Sequence, residues 1–298
     1  MKIYDCFMFF DEEMLLDLRL NIMNKYVDKF IVTESSYMHS GKPKKLIFDI
    51  NKFSKFKDKI IYIAIDQQPP DLEKIEQNDS PNKKRSKMIV NAKKREMYQI
   101  NRTQDRLVNA NQDDMIIVSD VDEIPNLEKI DIKKIKNKII FFKQKMFYYK
   151  FNLFYKSFPW YGSKACKKKY FKNPEWLRSL KNKKYPIWRF DVLFSNVKHS
   201  NVYIANDGGW HFTNIRNSED LEKKLSNFLH HVDYQNSGLN LTDLKKLMRE
   251  KKIMYNHSVD KKGNKWGEGD DLKTLNLDEM PRYIIENYEK YKPWLDNI

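Results

Sequence analysis

The stretch Met115-Ile116-Ile117-Val118-Ser119-Asp120-Val121-Asp122-Glu123-Ile124-Pro125 constrains this chain more than any other. Met115 to Val118 is an unbroken apolar run, the pattern of a strand buried on both faces of a parallel sheet. Asp120, Asp122 and Glu123 follow at once, and Pro125 removes a donor and stops the strand. The acids therefore sit at a strand's carboxyl end. In open α/β sheets that edge is the ligand crevice.

An Asp-x-Asp pair lets two carboxylates, Asp120 and Asp122, converge on one hard cation, and Mg²⁺ or Mn²⁺ is commonly shared between carboxylates and substrate phosphates. A diphosphate held this way is a better leaving group. The same residues also suit a plain polar turn.

Upstream, the pattern alternates strand and helix. Met1 to Phe10 reads as the first strand and is too short, and too interrupted by Asp5, for a signal peptide. Leu15, Leu18, Ile22 and Met23 then recur at helical spacing. Strands are expected at 28–34 and 59–66, a loop from 67 to about 87, and a helix from Arg85 to Ala110. Arg95, Gln99, Arg102 and Arg106 share one face of that helix. The alternation predicts a doubly wound, mostly parallel sheet flanked by helices.

Downstream the character changes. Ile139 to Phe142 and Met146 to Tyr155 are aromatic strand material, mostly for the core, with some rings suited to a sugar face. A strand from Asn201 to Ala205 leads into Asn206-Asp207-Gly208-Gly209-Trp210-His211-Phe212. Its glycines permit close backbone approach, and His211 at such a turn suits either a ligand to the same cation as Asp122 or a structural hydrogen-bonding role. Helices are expected at 219–228, 242–252 and 280–291, and an irregular loop at 261–271. No linker divides the chain, so 1–298 reads as one domain, with 1–125 the half that ends in the acidic ligand crevice and 126–298 the aromatic half.

The formal charge of +15 predicts attraction to phosphates, acidic glycans or anionic lipid surfaces. The lysines are scattered, without the basic-aromatic pattern of a nucleic-acid module, so no nucleic acid partner is expected. Cys6 and Cys166 make no disulfide framework, and reduced thiols in a cytoplasmic protein are expected. No stretch approaches the length of a bilayer span, which leaves only peripheral membrane contact.

Several motifs in order resemble glycosyltransferase family 17, the β-1,4-N-acetylglucosaminyltransferases that add the bisecting residue to N-glycans. They are Ile3-Tyr4-Asp5-Cys6-Phe7 with Phe9-Phe10 and Leu15-Leu16 through Arg19, Val27-Asp28-Lys29-Phe30, His39-Ser40-Gly41-Lys42-Pro43-Lys44, Arg95-Glu96 with Gln99, Val118 to Pro125, and Gly208 to Phe212. The resemblance implies a GT-A (Rossmann-like) fold, a UDP-N-acetylglucosamine donor, a divalent cation and inversion at the anomeric carbon. By position it makes Asp120, Asp122 and His211 the metal set, places Glu34, His39 and Lys42 beside the nucleotide and Trp210 beside the sugar, and adds Arg95 to the substrate contacts. Two places depart from the family pattern: Ile100 replaces a basic residue, and Phe228-Leu229-His230-His231-Val232 replaces a Phe-Ser-His-x-Glu-like run.

The implied chemistry is an in-line displacement in which a carboxylate takes the acceptor hydroxyl's proton. Glu123 and Asp207 lead the candidates, ahead of Asp191 and Glu268. Three competitors stand beside this reading: an aspartate-nucleophile phosphohydrolase with Asp120 as nucleophile, a basic nucleic-acid-binding protein, and an inactive glycan-binding relative.

Overall fold

The computed structural model describes residues 1–256, 266, 267 and 269–297. Strand β1 (Ile3–Met8) lies inside a seven-stranded sheet, parallel to β2 (Lys29–Ser35) on one side and to β4 (Met115–Val118) on the other. Beyond β2 runs β3 (Ile60–Ile65), also parallel. Beyond β4, β9 (Lys164–Lys167) enters antiparallel between β4 and β6 (Ile139–Phe142), and β10 (Val202–Ala205) closes the edge parallel to β6. The order is β10-β6-β9-β4-β1-β2-β3.

Both faces of this sheet are covered, which is why β1 and β4 carry no polar alternation. Ile3, Phe7, Met115 and Ile117 point into one apolar layer with Leu15, Leu16, Leu18 and Leu20 of α1 (Glu13–Met23). Tyr4, Cys6, Ile116 and Val118 point into the other, with Ile100 of α2 (Pro81–Asn101) and Leu177 of α3 (Pro174–Ser179). Helix α2 begins earlier than the sequence pattern predicts. Pro81 occupies its first turn behind Ser80, whose Oγ accepts the Lys83 N–H, so part of the expected loop is helical. Past Asn101 the chain tightens into a 3₁₀ turn, Arg102–Arg106.

Instead of one sheet there are two mixed ones. The aromatic stretches and the Gly-Gly turn build a second sheet from β5 (Glu123–Pro125), β7 (Gln144–Tyr148), β8 (Leu153–Trp160), β11 (Gly209–Thr213) and β12 (Lys273–Thr274), ordered β12-β8-β7-β11-β5. The stretch from Met146 to Tyr155 contributes to two strands, folded back at Tyr149, whose φ is +64°. Helices Ser218–Leu225 and Leu241–Arg249 cover this sheet, burying Leu221, Leu225, Leu244 and Leu247 against Met146, Tyr148 and Tyr155. The expected helix at 280–291 is two short ones, Arg282–Glu286 and Tyr288–Tyr291, broken at Asn287. Among the described residues no helix is long and apolar enough to cross a membrane.

The first sheet draws strands from both sides of residue 125, and β5 carries the chain from β4 into the second sheet. The turn between β4 and β5 is the acidic motif. It therefore lies where the two sheets meet.

Candidate active site

The acidic turn is held from behind by Arg19 of α1, which is fully buried. Its Nε and Nη2 donate to the two carboxylate oxygens of Asp5 on β1, at 2.8 and 2.6 Å. Nη1 donates to the carbonyls of Asp120 at 3.1 Å and Glu123 at 2.5 Å, and Nη2 also to Ser119 Oγ at 3.0 Å. A buried guanidinium is tolerable only when its donors are used, and here most of them fix the backbone of the motif. The carboxylates of Asp120 and Asp122 are left to face forward.

They face a cavity of about 460 Å³ lined by Asp120, Asp122, His211, His39, Glu96, Arg178 and Trp160, with Phe9 and Phe10 from the end of β1. His211 arrives through strand register. Strand β5 pairs antiparallel with β11, placing His211 opposite Glu123, and the Phe212 N–H donates to the Asp122 carbonyl at 2.8 Å. Gly209 permits this approach: its φ is +119°, and a Cβ there would stand 2.1 Å from the Ile124 carbonyl oxygen.

His211 Nε2 thus comes within 3.7 Å of Asp122 Oδ2. Burial alone would raise the Asp122 carboxyl, but the imidazole opposite overrides it and holds that carboxyl down at about 2. Burial would likewise lower His211, and the Asp122 charge reverses that and raises it. The Trp160 indole stacks on the His211 ring at 4.6 Å between centroids, fixing its plane. Among the described residues, the buried His211 Nδ1 meets no hydrogen-bond partner.

Asp120 is engaged differently. Both of its oxygens accept from Arg178 on the last turn of α3, Nη2 at 3.0 Å from Oδ2. The second face of Arg178 meets Glu96 of α2 at 3.4 Å. Burial opposes the Arg178 charge, but these carboxylates keep the guanidinium firmly protonated. Burial also raises Glu96, against the pull of Arg178. Among the described residues no three His, Cys, Asp or Glu side chains group around one point suited to a metal ion: Asp122 and His211 form a pair, while Asp120 turns onto Arg178.

The structure brings Asp120, Asp122, His211 and His39 together at the cleft. His39 is pulled down to about 4, chiefly by burial, and is neutral near pH 7. Glu123 stands behind the wall. Its Oε2 accepts the Asp120 N–H at 2.9 Å and its Oε1 the Trp160 indole N–H at 2.6 Å, and burial beside Asp120 pushes it up to about 7. Asp207 does not reach the cleft; its side chain is 71% exposed, in ion-pair range of Lys129. Asp191 pairs with Arg189 and Lys198 on a separate loop. Glu268 lies outside the described residues.

The expected nucleotide neighbours scatter as well. Glu34 is fully buried, accepting from Lys44 Nζ, the Ile47 and Phe48 N–H groups and the Tyr62 hydroxyl, which ties down the loop after β2. Arg95 supports that loop from below, donating to the His39 carbonyl at 3.2 Å and to Gln68 at 2.7 Å. Lys42 is exposed on its outer side. Trp210 is sent to the opposite face of β11 from His211 by strand alternation, and its indole donates to the Glu279 carbonyl at 3.0 Å.

Arg178 and Trp160 were not singled out by the sequence, and Glu96 was named there only as part of a motif, without a role at the site. Arg178 stands alone in a lysine-rich segment, and nothing local signals that α3 returns it to the acidic turn. Glu96 had a faint signal, as the neighbour of Arg95 in a recognisable helix motif.

The sequence pattern of Glycosyltransferase family 17 matches residues 1–296, essentially the whole chain. The chain belongs to that family. A sugar donor and a sugar-accepting substrate come with membership of a glycosyltransferase family, and the cleft of this family 17 glycosyltransferase is framed by the acidic turn and by aromatic side chains such as Phe9, Phe10 and Trp160. No individual curated protein matches this family 17 chain.

Proposed function

We propose that this protein transfers a sugar, N-acetylglucosamine by family resemblance, from a UDP-sugar to a hydroxyl of a glycan acceptor, with inversion and with the help of a divalent cation. The observation that carries this reading is the Asp122–His211 pair, 3.7 Å apart on the cleft wall beside an Asp120 whose backbone is locked by Arg19. An oxygen and a nitrogen donor converging there suit Mn²⁺ or Mg²⁺ held by few protein groups, its other positions taken by phosphate and water. The stacking of its ring on Trp160 holds the His211 imidazole with Nε2 directed at Asp122, where a shared ligand would sit.

When bound, the cation supplies charge neutralisation for the leaving diphosphate. Arg178 adds a second, permanent cation at the same cleft, where negative charge grows as the glycosidic bond breaks. Phe9, Phe10 and Trp160 line the cavity with apolar surface that suits a sugar ring and excludes water. For the proton of the attacking hydroxyl we assign Glu96. Of the two glutamates that line the cleft among the described residues, Glu12 is bound to Arg216 at 3.0 Å and receives two backbone N–H groups, whereas Glu96 meets Arg178 at 3.4 Å. The phosphohydrolase alternative needs an unencumbered Asp120 nucleophile, and Arg178 occupies both oxygens of that carboxylate.

The test is calorimetric and thermal-shift binding of UDP, GDP and their sugars, with and without Mn²⁺, to wild type and Asp122→Asn. Ligands that bind the folded state raise its melting temperature. UDP-sugar binding that requires Mn²⁺ and disappears in the variant supports the reading; metal-indifferent binding, or none, overturns it. Glu96→Gln is expected to keep donor binding while turnover falls about a hundredfold or more.

A further inference from the structure

Away from the cleft, the segment between α3 and β10 leaves the body as a stapled loop. Its base is closed by the Lys181 N–H to the Val197 carbonyl at 2.8 Å, the Tyr185 N–H to the His199 carbonyl at 3.1 Å, and the Trp176 indole to the Asn196 carbonyl at 2.7 Å. Lys164 Nζ fixes it to the cleft wall, donating to the carbonyls of Arg178 and Leu180. The tip presents Ile187, Trp188, Phe190, Leu193 and Phe194, exposed to 81, 78, 79, 68 and 89%. Only Val192 of its short helix, Phe190–Leu193, turns inward.

Five large apolar side chains between positions 187 and 194 exceed the scattered hydrophobics of an ordinary soluble surface. Their exposure is held open. Arg189 lies over the Tyr185 ring, and Asp191 binds both Arg189 and Lys198 at 2.7 Å, bracing the backbone on either side of the tip. From Lys181 to Lys198 the chain carries five cations and one carboxylate, Asp191. With Arg189 and Lys198 committed to Asp191, the exposed Lys181, Lys183 and Lys184 form a basic collar at the root.

We propose that this loop docks the protein on an anionic lipid surface, its apolar tip entering the headgroup–acyl boundary and its lysines contacting the headgroups. An apolar end with Trp and Phe above a basic rim is the composition that binds such an interface. Charge argues against a second copy as the occupant. Two such loops meeting tip to tip would bring identical cationic collars together on molecules that each carry +15. A projecting tip also offers a flat partner little buried area, whereas a bilayer yields around it.

The test is vesicle flotation of the full chain with phosphatidylcholine alone and with phosphatidylglycerol added. Three forms are compared: wild type, Trp188→Ser with Phe194→Ser, and Lys181→Glu with Lys184→Glu. Wild type is expected to bind the anionic vesicles about tenfold or more tighter than the neutral ones. The apolar double variant is expected to lose about tenfold or more of that binding while keeping its melting temperature, since both side chains start in water. The charge-reversal variant is expected to lose the preference for phosphatidylglycerol. Brominated lipid should quench wild-type tryptophan emission and leave the Trp188→Ser emission unchanged. Absence of flotation, or flotation that the apolar variant retains in full, overturns the proposal. So does a concentration-dependent dimer in sedimentation that the apolar variant abolishes without any vesicle binding by wild type.

Discussion

Arg178 grips Asp120 with both arms of its guanidinium, Nη2 at 3.0 Å from Oδ2, from a helix that begins well beyond the acidic turn. The pair is partly open, with side-chain exposures of 19 and 35%, so solvent screens it. Arg178→Ala is expected to cost about 1–3 kcal/mol of stability, less than the loss of a fully buried partner. Transfer should fall more than stability does. Arg178→Lys keeps the charge but not the fork, and its turnover should lie between the two. Urea denaturation and donor turnover on the same samples check this; equal turnover in all three would deny Arg178 any part in the reaction.

Arg19 is the more severe case. Its removal leaves the Asp5 carboxylate buried and unpaired, which costs about 3–5 kcal/mol. Arg19→Met combined with Asp5→Leu should recover most of that stability, because a buried ion pair replaced by apolar side chains is often neutral. Donor binding should not recover, since the carbonyls of Asp120 and Glu123 remain without their donor. A double variant that binds donor as wild type does would show that the brace is dispensable.

Gly209→Ala tests the strand register. The added methyl meets the Ile124 carbonyl at 2.1 Å on a backbone with φ +119°, so the loss should exceed about 2 kcal/mol. Because β11 starts at this residue, His211 should move with it. The thermal melt reports the first effect and the imidazole NMR shift the second; an unchanged shift would mean that the pairing tolerates displacement.

Lys164 gives a pH signature of stability. Burial pulls its ammonium down to about 7 from an ordinary 10.5, while Glu123 pulls the other way. Between those values the unfolded chain binds the extra proton, so stability rises with pH through the window and the gain is complete above it. Below about 7 both states are protonated and the slope from this group disappears. Denaturation midpoints at pH about 7 and about 9 should differ in wild type and differ less in Lys164→Met. The same difference in both would remove Lys164 as its source.

Much of the first sheet was legible in the sequence because local signals coincide there: apolar runs of strand length, helical spacing between them, and acids at strand ends. The second sheet was not. Tyr148 and Phe154 have the same aromatic character whichever sheet they join, and only the pairing of β7 with distant β11, and of β8 with β7, decides it. At the site, motif residues near a strand end were legible as a group, but their directions were not. Trp210 and His211 are neighbours in sequence and opposites in space by strand alternation. Glu123 has the right chemistry for a base, yet it folds back onto the Asp120 N–H and the Trp160 indole. Arg178 was invisible because its meaning lies entirely in a tertiary contact.

The pairing of β5 with β11 also sets when the site can exist during synthesis. A chain growing from the ribosome releases Asp122 long before the strand that carries His211. Until that strand emerges and pairs, Asp122 is an ordinary hydrated carboxylate and Trp160 has no imidazole to stack upon. The Asp122–His211 pair is thus made late, and nascent chains that stop short of His211 carry the whole acidic motif without the imidazole that holds Asp122 down.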